Sequence, residues 1–374
     1  MNHETMTLLV NGSQAFPEII RCIEAAQASV QINMFIWRDD RIGNRMAQAV
    51  LAAADRGAQV SISVDRYGVV LEKCEEAGKS FFHKEQTLME TLKSRMLALF
   101  YPENTVPGTV RDEYTALYRR IMAHPNICVS ADVFKADHSK YYIIDDEILF
   151  LGGINIEDKE NGCDISGRVY GDYMAKLEGA EYVRSFREKL ASGRNTGDNL
   201  FFGLNIKVPV RRFEMEALYL DLINSTKEAL HITMAYFSPL PQFVEAIAAA
   251  HRRGVRVTIV IPERANFQND SNRRTIRKLL KKTNGGIRVY FSPKMLHTKL
   301  VMNEQTISFG STNITKKAFH QLNELNLFVK NEESEFCRTL LDSIADDIRI
   351  SRPILSHREV EYRKWLAFLE GFMV

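Results

Sequence analysis

The side chains of this sequence that could do chemistry lie in two copies of one short motif. His138 and Lys140 begin "HSKYYIIDDEILFLGGIN", and His297 and Lys299 begin "HTKLVMNEQTISFGSTN". Alternate residues of a strand project from one face, so each motif would present an imidazole beside an ammonium group. A single His-x-Lys occurs readily by chance. Two copies at equivalent places predict two half-sites that form one site, with a nucleophile and a proton donor on opposite sides of a phosphorus atom.

The repeat extends well beyond these motifs. The segment "AAQASVQINMFIW" (25–37) aligns with "STKEALHITMAYF" (225–237), and both alternate apolar and polar residues as strands do. An amphipathic helix precedes and follows each strand, and the second helix of each half ends at Gly57 or Gly254. Another apolar strand and the His-x-Lys hairpin then follow. The sequence therefore predicts an α/β protein of two related halves, each a mixed sheet flanked by helices.

The predicted domain boundaries follow from this repeat and from the stretch "ASGRNTGDN", where small and polar residues cluster without periodicity. The first half carries an insertion that the second half lacks. The predicted organisation is an N-terminal half at 1–190 with a helical insertion at about 71–128, a linker at 191–205, a C-terminal half at 206–350 and an amphipathic tail at 351–374.

Composition is typical of a soluble globular protein. Hydrophobic residues make up 45% and charged residues 26% of the chain, and Lys plus Arg number 49 against 47 for Asp plus Glu. This balance gives no global positive field, so we do not expect nucleic acid as a partner. Five cysteines without a CxxC pair indicate free thiols and a reducing compartment. Neither a leader nor a run of about 18 apolar residues is found, so we expect a cytoplasmic chain that begins near Met1 and does not span a membrane.

The first motif resembles the HxKxxxxD signature of the phospholipase D superfamily through His138, Lys140 and Asp145. Within that superfamily the cardiolipin synthase branch is the most similar, and "MFIWRDDRIGNRM", "MAYFSP", "HRRGVRVTIVIPE" and "GSTNITKKAFHQLNELNLFV" echo its pattern. The resemblance covers nearly the whole chain. It implies two α/β halves that share one catalytic cleft. It also implies a phosphatidyltransferase that makes cardiolipin from phosphatidylglycerol, or from a related donor and alcohol, without a metal or cofactor; the sequence has no cluster with zinc spacing.

The resemblance also assigns roles to residues. It makes His138 the nucleophile that forms a phosphohistidine and His297 the general acid and base, an assignment that the symmetric sequence alone does not make. Lys140 and Lys299 would neutralise charge on the non-bridging phosphate oxygens. Two amides would donate hydrogen bonds to those oxygens, and one hydroxyl could do so: Asn155, Asn313 and Ser311.

Each histidine also needs a carboxylate to fix its tautomer. Glu324, in "LNELNLF", matches the family's position on the second side, with an exposed strand residue as the alternative. On the first side we choose Asp172, in "GDYMAKLEG", although Asp164 and other acids are close in the sequence. These two carboxylates complete the predicted catalytic set.

Two departures from the family pattern concern stability and phosphate binding. The second motif lacks the expected Asp: counting from its histidine gives Glu304, and counting back from its glycine gives Asn303. Asp145 lies an odd number of residues from the first histidine and would face away from it on a strand, so we predict that this position stabilises a turn rather than acting in the chemistry. The first motif also has Gly153 where the second keeps Ser311, so it lacks one hydroxyl.

Three segments could contact a membrane, and each has an alternative. Residues 88–100 show helical apolar spacing, which suits a helix packed on its own domain, or a lid or lipid-contacting helix. The basic run 272–282 could be a solvated helix face, an anionic lipid contact or a nucleic-acid contact. The tail "YRKWLAFLEGFMV" could fold back as a core helix or lie in an interface. Together they favour peripheral attachment to an anionic membrane surface, and the resemblance implies phosphatidylglycerol as the substrate.

Two functions of other classes stay open. The same catalytic pair can hydrolyse phosphodiesters, so the first alternative is a phospholipase D-type phosphodiesterase or a nuclease, and the balanced charge disfavours the nuclease. The second is a catalytically inactive scaffold, which the two intact His-x-Lys pairs disfavour. The sequence leaves the acceptor alcohol and the oligomeric state open.

Overall fold

The computed structural model of the chain describes residues 5–75, 80–85, 87–98, 114–162, 169–196, 200–207 and 211–373. The chain divides into two compact units, Met1–Arg194 and Asn195–Val374. Asp164 and residues 99–100 of the segment 88–100, both considered in the sequence analysis, lie outside the described residues.

The first unit is built on a mixed sheet. Its strands are β1 (Thr5–Val10), β2 (Ser29–Met34), β3 (Gln59–Val64), β4 (Ile127–Ser130), β5 (Tyr141–Ile144), β6 (Ile148–Gly152), β7 (Tyr170–Gly171) and β8 (Tyr173–Glu178). Its helices are α1 (Asn11–Ala25), α2 (Arg41–Asp55), α3 (Gly68–Glu75), α4 (Leu88–Ala98), α5 (Ala116–Ala123) and α6 (Ala180–Ser192), with a 3-10 helix at Asp158–Asn161. The sheet order is β1-β8-β6-β5-β2-β3-β4. Within it β2, β3 and β4 run parallel, and the other neighbours are antiparallel.

The second unit has a larger mixed sheet. Its strands are β9 (Leu200–Ile206), β10 (Arg212–Phe213), β11 (Ala229–Met234), β12 (Phe237–Ser238), β13 (Arg256–Pro262), β14 (Arg288–Ser292), β15 (Met295–Leu296), β16 (Lys299–Met302), β17 (Thr306–Gly310), β18 (Ile314–Thr315), β19 (Glu324–Lys330) and β20 (Arg352–Ile354). Its helices are α7 (Met215–Ser225), α8 (Pro241–Arg252), α9 (Asn269–Lys282), α10 (Lys316–His320), α11 (Glu335–Ile350) and α12 (Lys364–Met373). The sheet order is β10-β9-β19-β17-β16-β11-β13-β14-β20.

The two sheets contain the same seven-stranded pattern. The run β9-β19-β17-β16-β11-β13-β14 of the second unit repeats β1-β8-β6-β5-β2-β3-β4 of the first in order and in strand direction. The registers agree as well, because Ile32 pairs with Ile62 and Ile232 pairs with Ile259. The duplication predicted from the sequence is therefore a duplication of the fold.

Local sequence explains the limits of the repeated helices. Gly57 and Gly254 follow α2 and α8 with φ of +108° and +93°, a backbone conformation that glycine adopts without strain. Asp40 caps α2 by accepting a hydrogen bond from the N–H of Gly43 at 2.9 Å. Pro241 starts α8, where its fixed φ suits the first helical turn. Each of these two helices thus begins and ends at residues that suit a helix terminus.

Helices pack on each sheet through buried apolar side chains. In the first unit α1 and α2 contribute Phe16, Ile19, Ile23, Met46 and Val50 to one cluster with β2 and β3. In the second unit α7, α8 and α9 contribute Tyr219, Ile223, Phe243, Ile247, Ile276 and Leu279. Each large side chain buried in this way contributes about 1.5–3 kcal/mol to folding. These clusters hold the strands that carry the histidine motifs.

The helix α4 packs on its own unit, against α3, as in the first interpretation of segment 88–100, but its apolar stripe faces outward. Leu92 and Met96 are exposed, whereas Glu90 and Ser94 are buried. Arg66 pairs with Glu90 at 2.8 Å, and this ion pair holds the helix on the unit. Polar contacts, rather than an apolar face, position α4.

The C-terminal tail folds back on the second unit. Leu366 and Ala367 of α12 are buried, and Glu370 accepts a hydrogen bond of 2.7 Å from the N–H of Ser271 at the start of α9. Burial raises the pKa of the Glu370 carboxyl, against the lowering effect of that N–H. Trp365 remains exposed on the outer side of the tail. Each helix of the described ranges is too short or too polar to cross a bilayer.

Candidate active site

His138 lies in the residues that lead into β5 and is fixed by its neighbours in the chain. Asp65, at the end of β3, accepts hydrogen bonds from the N–H groups of Lys135 (3.1 Å) and Asp137. Asp137 in turn accepts a bond from the N–H of Ser139 at 3.0 Å. Burial raises the pKa of the Asp65 carboxyl, which the backbone donors partly offset. The network holds the backbone on both sides of the histidine, and the sequence analysis missed it.

The prediction that the motif histidines lie in strands is wrong, because each histidine precedes its strand. β5 begins at Tyr141 and β16 begins at Lys299. The two lysines are buried, and each ammonium group bends back to its own motif: Lys140 donates a hydrogen bond to the backbone oxygen of His138, and Lys299 donates one to that of His297. Imidazole and ammonium therefore belong to one local structure in both units.

Phe35 packs beside both groups of the first motif. Its ring meets the His138 ring edge-on, with centroids 4.8 Å apart. The Lys140 ammonium group lies 5.2 Å from the centroid of the same Phe35 ring, a cation–π contact that favours the charged amine. Phe35 follows β2 directly, so its position at the end of a central strand was the signal that could have identified it.

Asp172 occupies the space beside Gly153. A Cβ atom added at Gly153 would lie 2.1 Å from Oδ2 of Asp172, far inside van der Waals contact. The carboxylate is buried and accepts a hydrogen bond of 2.8 Å from the N–H of Tyr173. The neighbouring acid therefore leaves room only for glycine at position 153. This is the reason why the first motif has no serine hydroxyl there.

Asn155 is buried just after β6. Its backbone oxygen accepts a hydrogen bond of 3.1 Å from the N–H of Glu157. Its side-chain Oδ1 atom has no hydrogen-bond partner within the described part of the chain. Buried polar groups are nearly always paired, so such an atom marks a place that water or a ligand would satisfy.

In the second unit Tyr236 links His297 to Asn313. The rings of Tyr236 and His297 are edge-on with centroids 6.3 Å apart, and the Tyr236 N–H donates a hydrogen bond of 3.2 Å to Oδ1 of Asn313. Since that oxygen accepts, the amide nitrogen of Asn313 is the group that can donate to a bound oxyanion. The Tyr236 hydroxyl donates to Oδ1 of Asn266 at 2.9 Å.

Ser311 and Glu324 form a buried pair in the second unit. The Ser311 hydroxyl donates its proton to Oε2 of Glu324, and its oxygen accepts a hydrogen bond of 2.9 Å from the N–H of Leu325. Both residues are buried, so the alternative that Glu324 is an exposed strand residue is wrong. The serine proton is directed to the acid, which leaves Ser311 a role in holding Glu324.

The strand register identifies Asp172 as the counterpart of Glu324. β6 pairs with β8, and β17 pairs with β19. In each pair, the glycine that ends β6 or β17 lies opposite one residue of the neighbouring strand. The facing residues are Gly152–Met174 and Gly310–Asn326. Asp172 and Glu324 each lie two residues before that partner. The acid chosen from the sequence on the first side therefore has the same structural place as the acid on the second.

Asp145 and Glu304 tie the hairpin turns to the loops before β2 and β11. Asp145 accepts hydrogen bonds from the N–H groups of Gln27 (2.9 Å), Ala28 (2.7 Å) and Ser29 (2.8 Å). Glu304 accepts them from Lys227 (2.8 Å), Glu228 (3.3 Å) and Ala229 (3.4 Å). Burial raises the pKa of each acid, but these donors outweigh it and leave both values below the ordinary range. Glu304, rather than Asn303, is thus the counterpart of Asp145.

A buried ion pair next to the first half-site was not predicted from the sequence. Nε of Arg38 lies 2.9 Å from Oε2 of Glu157, and Nζ of Lys159 lies 3.2 Å from the same oxygen. Arg38 also donates a hydrogen bond of 3.0 Å to the backbone oxygen of Glu72. A signal was present, because Glu157 is only two residues beyond Asn155. This pair fixes the segment that carries the amide.

Each unit by itself holds a set of groups suited to phosphorus chemistry. An imidazole can attack phosphorus or transfer a proton. A buried ammonium group and an amide can stabilise negative charge on phosphate oxygens. A buried carboxylate at a fixed place can set the tautomer of an imidazole. Both units contain all four kinds of group.

The comparison with protein families decides the assignment. The family model described as "Cardiolipin synthase, PLD-like domain" matches residues 19–190 and 219–348. The chain belongs to this family. The two matched segments contain both His-x-Lys motifs, so the superfamily and the branch recognised from the residues are confirmed.

Curated relatives agree with the family. The chain is 25% identical over 360 residues to cardiolipin synthase B of Escherichia coli (strain K12), which covers 90% of this chain and 78% of that protein. It is 22% identical over 390 residues to cardiolipin synthase 2 of Staphylococcus epidermidis, covering 98% of this chain and 72% of that protein. These matches confirm the predicted enzyme class, a phosphatidyltransferase of the phospholipase D superfamily.

A solved structure supports the fold. Phosphatidylserine synthase from Haemophilus influenzae Rd KW20 superposes with a TM-score of 0.72 at 12% identity, covering 97% of this chain and 91% of that chain. Polyphosphate kinase from Porphyromonas gingivalis gives a TM-score of 0.52 at 12% identity, covering 92% of this chain and 50% of that chain. At such identities the likeness concerns the fold alone. The predicted fold class, two α/β halves of the phospholipase D type, is confirmed.

Proposed function

We propose that this member of the cardiolipin synthase family transfers a phosphatidyl group from one phosphatidylglycerol to the glycerol hydroxyl of a second, forming cardiolipin and releasing glycerol. The observation that carries this function is the duplicated half-site. His138 with Lys140 and His297 with Lys299 occur at equivalent places in two copies of one fold. A reaction that displaces one alcohol from phosphorus and then adds another can use one imidazole as the nucleophile and a second as the acid and base.

In the first half-reaction, neutral His138 attacks the phosphorus of the donor lipid and a nitrogen–phosphorus bond forms. The bond from phosphorus to the glycerol oxygen breaks. That oxygen takes a proton from the protonated imidazole of His297, so glycerol leaves as a neutral alcohol. The products are a phosphohistidine on His138 and a neutral His297.

The second half-reaction runs in reverse with a new alcohol. Neutral His297 removes the proton from the glycerol hydroxyl of a second phosphatidylglycerol, and the resulting oxygen attacks the phosphohistidine. The nitrogen–phosphorus bond breaks, cardiolipin forms, and His138 returns to its neutral state. Water as the acceptor would give phosphatidic acid instead, which is the hydrolase alternative.

The surrounding groups stabilise charge and orientation in this scheme. Lys140 and Lys299 neutralise the non-bridging phosphate oxygens, and the amides of Asn155 and Asn313 donate hydrogen bonds to them. The hydrogen bond from the Tyr236 N–H to Oδ1 of Asn313, which leaves the amide nitrogen of Asn313 to donate, supports this role. Two buried carboxylates at equivalent places, Asp172 and Glu324, set the tautomers of the two imidazoles, with Ser311 holding the second acid.

We also propose that the protein works while bound peripherally to an anionic membrane surface. The donor and acceptor are bilayer lipids, so the phosphorus has to come to the histidines from a membrane. The helices α4 and α12 both carry exposed apolar side chains. Such side chains with basic neighbours are the usual elements of interfacial binding.

The test is incubation of the purified protein with phosphatidylglycerol vesicles, followed by mass spectrometry of the lipids. We expect cardiolipin and free glycerol in equal amounts, and no inhibition by EDTA. His138→Ala and His297→Ala should each lower turnover by at least about a thousandfold, and the double variant should be no worse because the two act in one cycle.

Other outcomes would each reject a part of this assignment. Phosphatidic acid as the main lipid product would make the protein a hydrolase. A single histidine variant with wild-type turnover would remove the shared cycle, and strong inhibition by EDTA that added metal reverses would require an ion in the chemistry.

A further inference from the structure

The helix α4 has its polar side inward and its apolar side outward. Glu90 and Ser94 are each only 6% exposed, whereas Leu88, Leu92 and Met96 are 91%, 56% and 58% exposed. Surface helices of soluble proteins show the opposite pattern, because their apolar stripe faces the core. Such an inversion indicates that the outer stripe meets something other than water.

Polar contacts to the unit fix this inverted orientation. Arg66 donates two hydrogen bonds to Glu90, at 2.8 and 3.1 Å. Burial raises the pKa of the Glu90 carboxyl, but the hydrogen bonds that it accepts, above all from Arg66, outweigh burial and leave the pKa below its ordinary value. The Ser94 hydroxyl donates to the backbone oxygen of Val70 at 3.2 Å. Glu90 and Ser94 are one turn apart, so both bonds hold the same face of the helix inward. The exposed stripe therefore follows from specific contacts on the other side.

Positive charges border the exposed stripe. At about 100° per residue, Leu88, Met89, Leu92 and Met96 fall within an arc of about 100°, close to one quadrant of the helix. Lys93 and Arg95 are both exposed and project on either side of that quadrant. An apolar stripe bordered by cations has the charge and polarity of a helix that lies in the headgroup region of an anionic bilayer.

The stripe is continuous with the first histidine through aromatic rings. Phe134, half exposed, lies 6.0 Å from the Lys93 ammonium group and 5.2 Å from the Tyr67 ring, centroid to centroid. The Tyr67 ring lies 6.1 Å from that of Phe35, which packs against His138 at 4.8 Å. Three aromatic rings thus connect the outer surface next to α4 with the proposed nucleophile.

We infer that an anionic phospholipid bilayer docks on this surface, called here the α4 surface. It consists of the exposed apolar residues of α4 and of the loop that carries Phe134: Leu88, Met89, Leu92, Met96, Val133 and Phe134. The inference rests on the proposed function and deepens it, because the donor lipid then approaches His138 along the aromatic side chains while its acyl chains stay covered. A second copy of the chain is a poorer occupant, since a symmetric contact would bring Lys93 and Arg95 of both copies together.

The test measures binding to vesicles of equal parts phosphatidylglycerol and phosphatidylcholine by flotation, without reference to turnover. Leu92→Gln combined with Met96→Gln should lower the partition coefficient by at least about tenfold, because both side chains leave the apolar phase. The matched control replaces one exposed leucine and one exposed methionine elsewhere, as Leu341→Gln and Met122→Gln, and should bind as the wild type does. Lys93→Gln with Arg95→Gln should reduce binding to these vesicles but not to pure phosphatidylcholine.

Hydrolysis of a small soluble phosphodiester separates docking from folding and chemistry. The Leu92→Gln, Met96→Gln protein should keep wild-type turnover of that substrate while losing turnover of vesicle lipid. Three results would overturn the α4 surface: unchanged flotation, equal loss on both substrates, or a change of oligomeric state that shows a second copy on the stripe. A wild-type protein that binds vesicles through this surface but makes no cardiolipin would leave the surface in place and overturn the proposed function instead.

Discussion

The two half-sites keep one backbone but fill the same place with different side-chain pairs. In the first unit the bare backbone of Gly153 lies against the short acid Asp172. In the second unit Ser311 donates its hydroxyl proton to the longer acid Glu324. A short acid needs the space that a serine Cβ would take, whereas a long acid leaves that space free and gains a donor. The small residue and the acid are therefore coupled, and a substitution of one requires a substitution of the other.

A second difference concerns the segment that follows each motif. In the first unit Arg38 and Glu157 close this segment with a buried ion pair at 2.9 Å. The second unit pairs the same two segments in parallel, as β12 and β18, just as Trp37 and Ile156 pair in the first unit, but it has Ser238 beside Thr315 in place of the ion pair. Thr315 caps α10 by accepting a bond from the N–H of Ala318 at 3.2 Å. Duplicated sheets thus tolerate quite different local solutions as long as the histidine and amide remain in place.

Among the changes that test this comparison, the largest effect should come from introducing the serine of the second half-site into the first. Gly153→Ser would push Asp172 from its place, since the new Cβ would overlap the carboxylate and break its bond to Tyr173. We expect turnover of phosphatidylglycerol to fall about a hundredfold, as catalytic groups displaced by an ångström commonly cause. Lipid mass spectrometry at matched concentrations of folded protein measures this loss.

Two further variants sharpen the same comparison. Gly153→Ser with Asp172→Glu recreates the pair of the second unit and should recover turnover relative to Gly153→Ser alone. Ser311→Gly removes a hydrogen bond without a clash, so it should cost only about tenfold. If the double variant were no better than the single one, the two pairs would not be interchangeable solutions.

A smaller effect, on stability alone, should distinguish the two turns. Asp145→Ala removes three short hydrogen bonds and should lower the free energy of unfolding of its unit by about 1–2 kcal/mol, in the range of a lost helix cap. Glu304→Ala removes one short and two longer bonds and should cost less. Thermal unfolding checks the order. Turnover per folded molecule should stay near that of the wild type, and its abolition in either folded variant would move the acid into the chemistry.

The smallest effect should appear in the pH dependence of those two variants. The pKa of each acid is lower in the folded protein than its ordinary value, 3.8 for Asp145 and 4.5 for Glu304. A lowered pKa means that the stabilisation is complete above the ordinary value and is lost as the pH falls towards the folded one. The difference in unfolding temperature between wild type and variant should therefore shrink in acid, beginning at a higher pH for Glu304→Ala. A difference in unfolding temperature that did not depend on pH would mean that the stabilisation comes from packing and not from the charged carboxylate.

Much of the fold and of the site could be predicted because the information was local or repeated. Apolar and polar residues alternate in the strands around Ile32 and Ile232, and Gly57 and Gly254 mark helix ends. The repeated core could therefore be predicted from the sequence. The strand β9 was not, since it begins at Leu200, inside the segment predicted as linker, and joins its sheet through pairing with the distant β19.

Other features depended on contacts between residues far apart in sequence. The inverted orientation of α4 follows from Arg66 and Val70 reaching Glu90 and Ser94, and apolar spacing alone cannot tell which side faces inward. The steric reason for Gly153 appeared only once strand register put Asp172 beside it. Periodicity predicts secondary-structure elements and repeats, whereas the contact partners of a residue follow only from the folded structure.

Detection of the covalent intermediate tests the central claim, two histidines acting in one phosphohistidine cycle, most directly. The protein is held in excess over phosphatidylglycerol, stopped in alkali to preserve the nitrogen–phosphorus bond, digested and analysed by mass spectrometry. We predict a phosphatidyl adduct on the peptide that contains His138, rising and then decaying as cardiolipin appears, and absent from His138→Ala. Cardiolipin formation at the full rate with no adduct at any time, or with the adduct on His297 alone, would contradict this account.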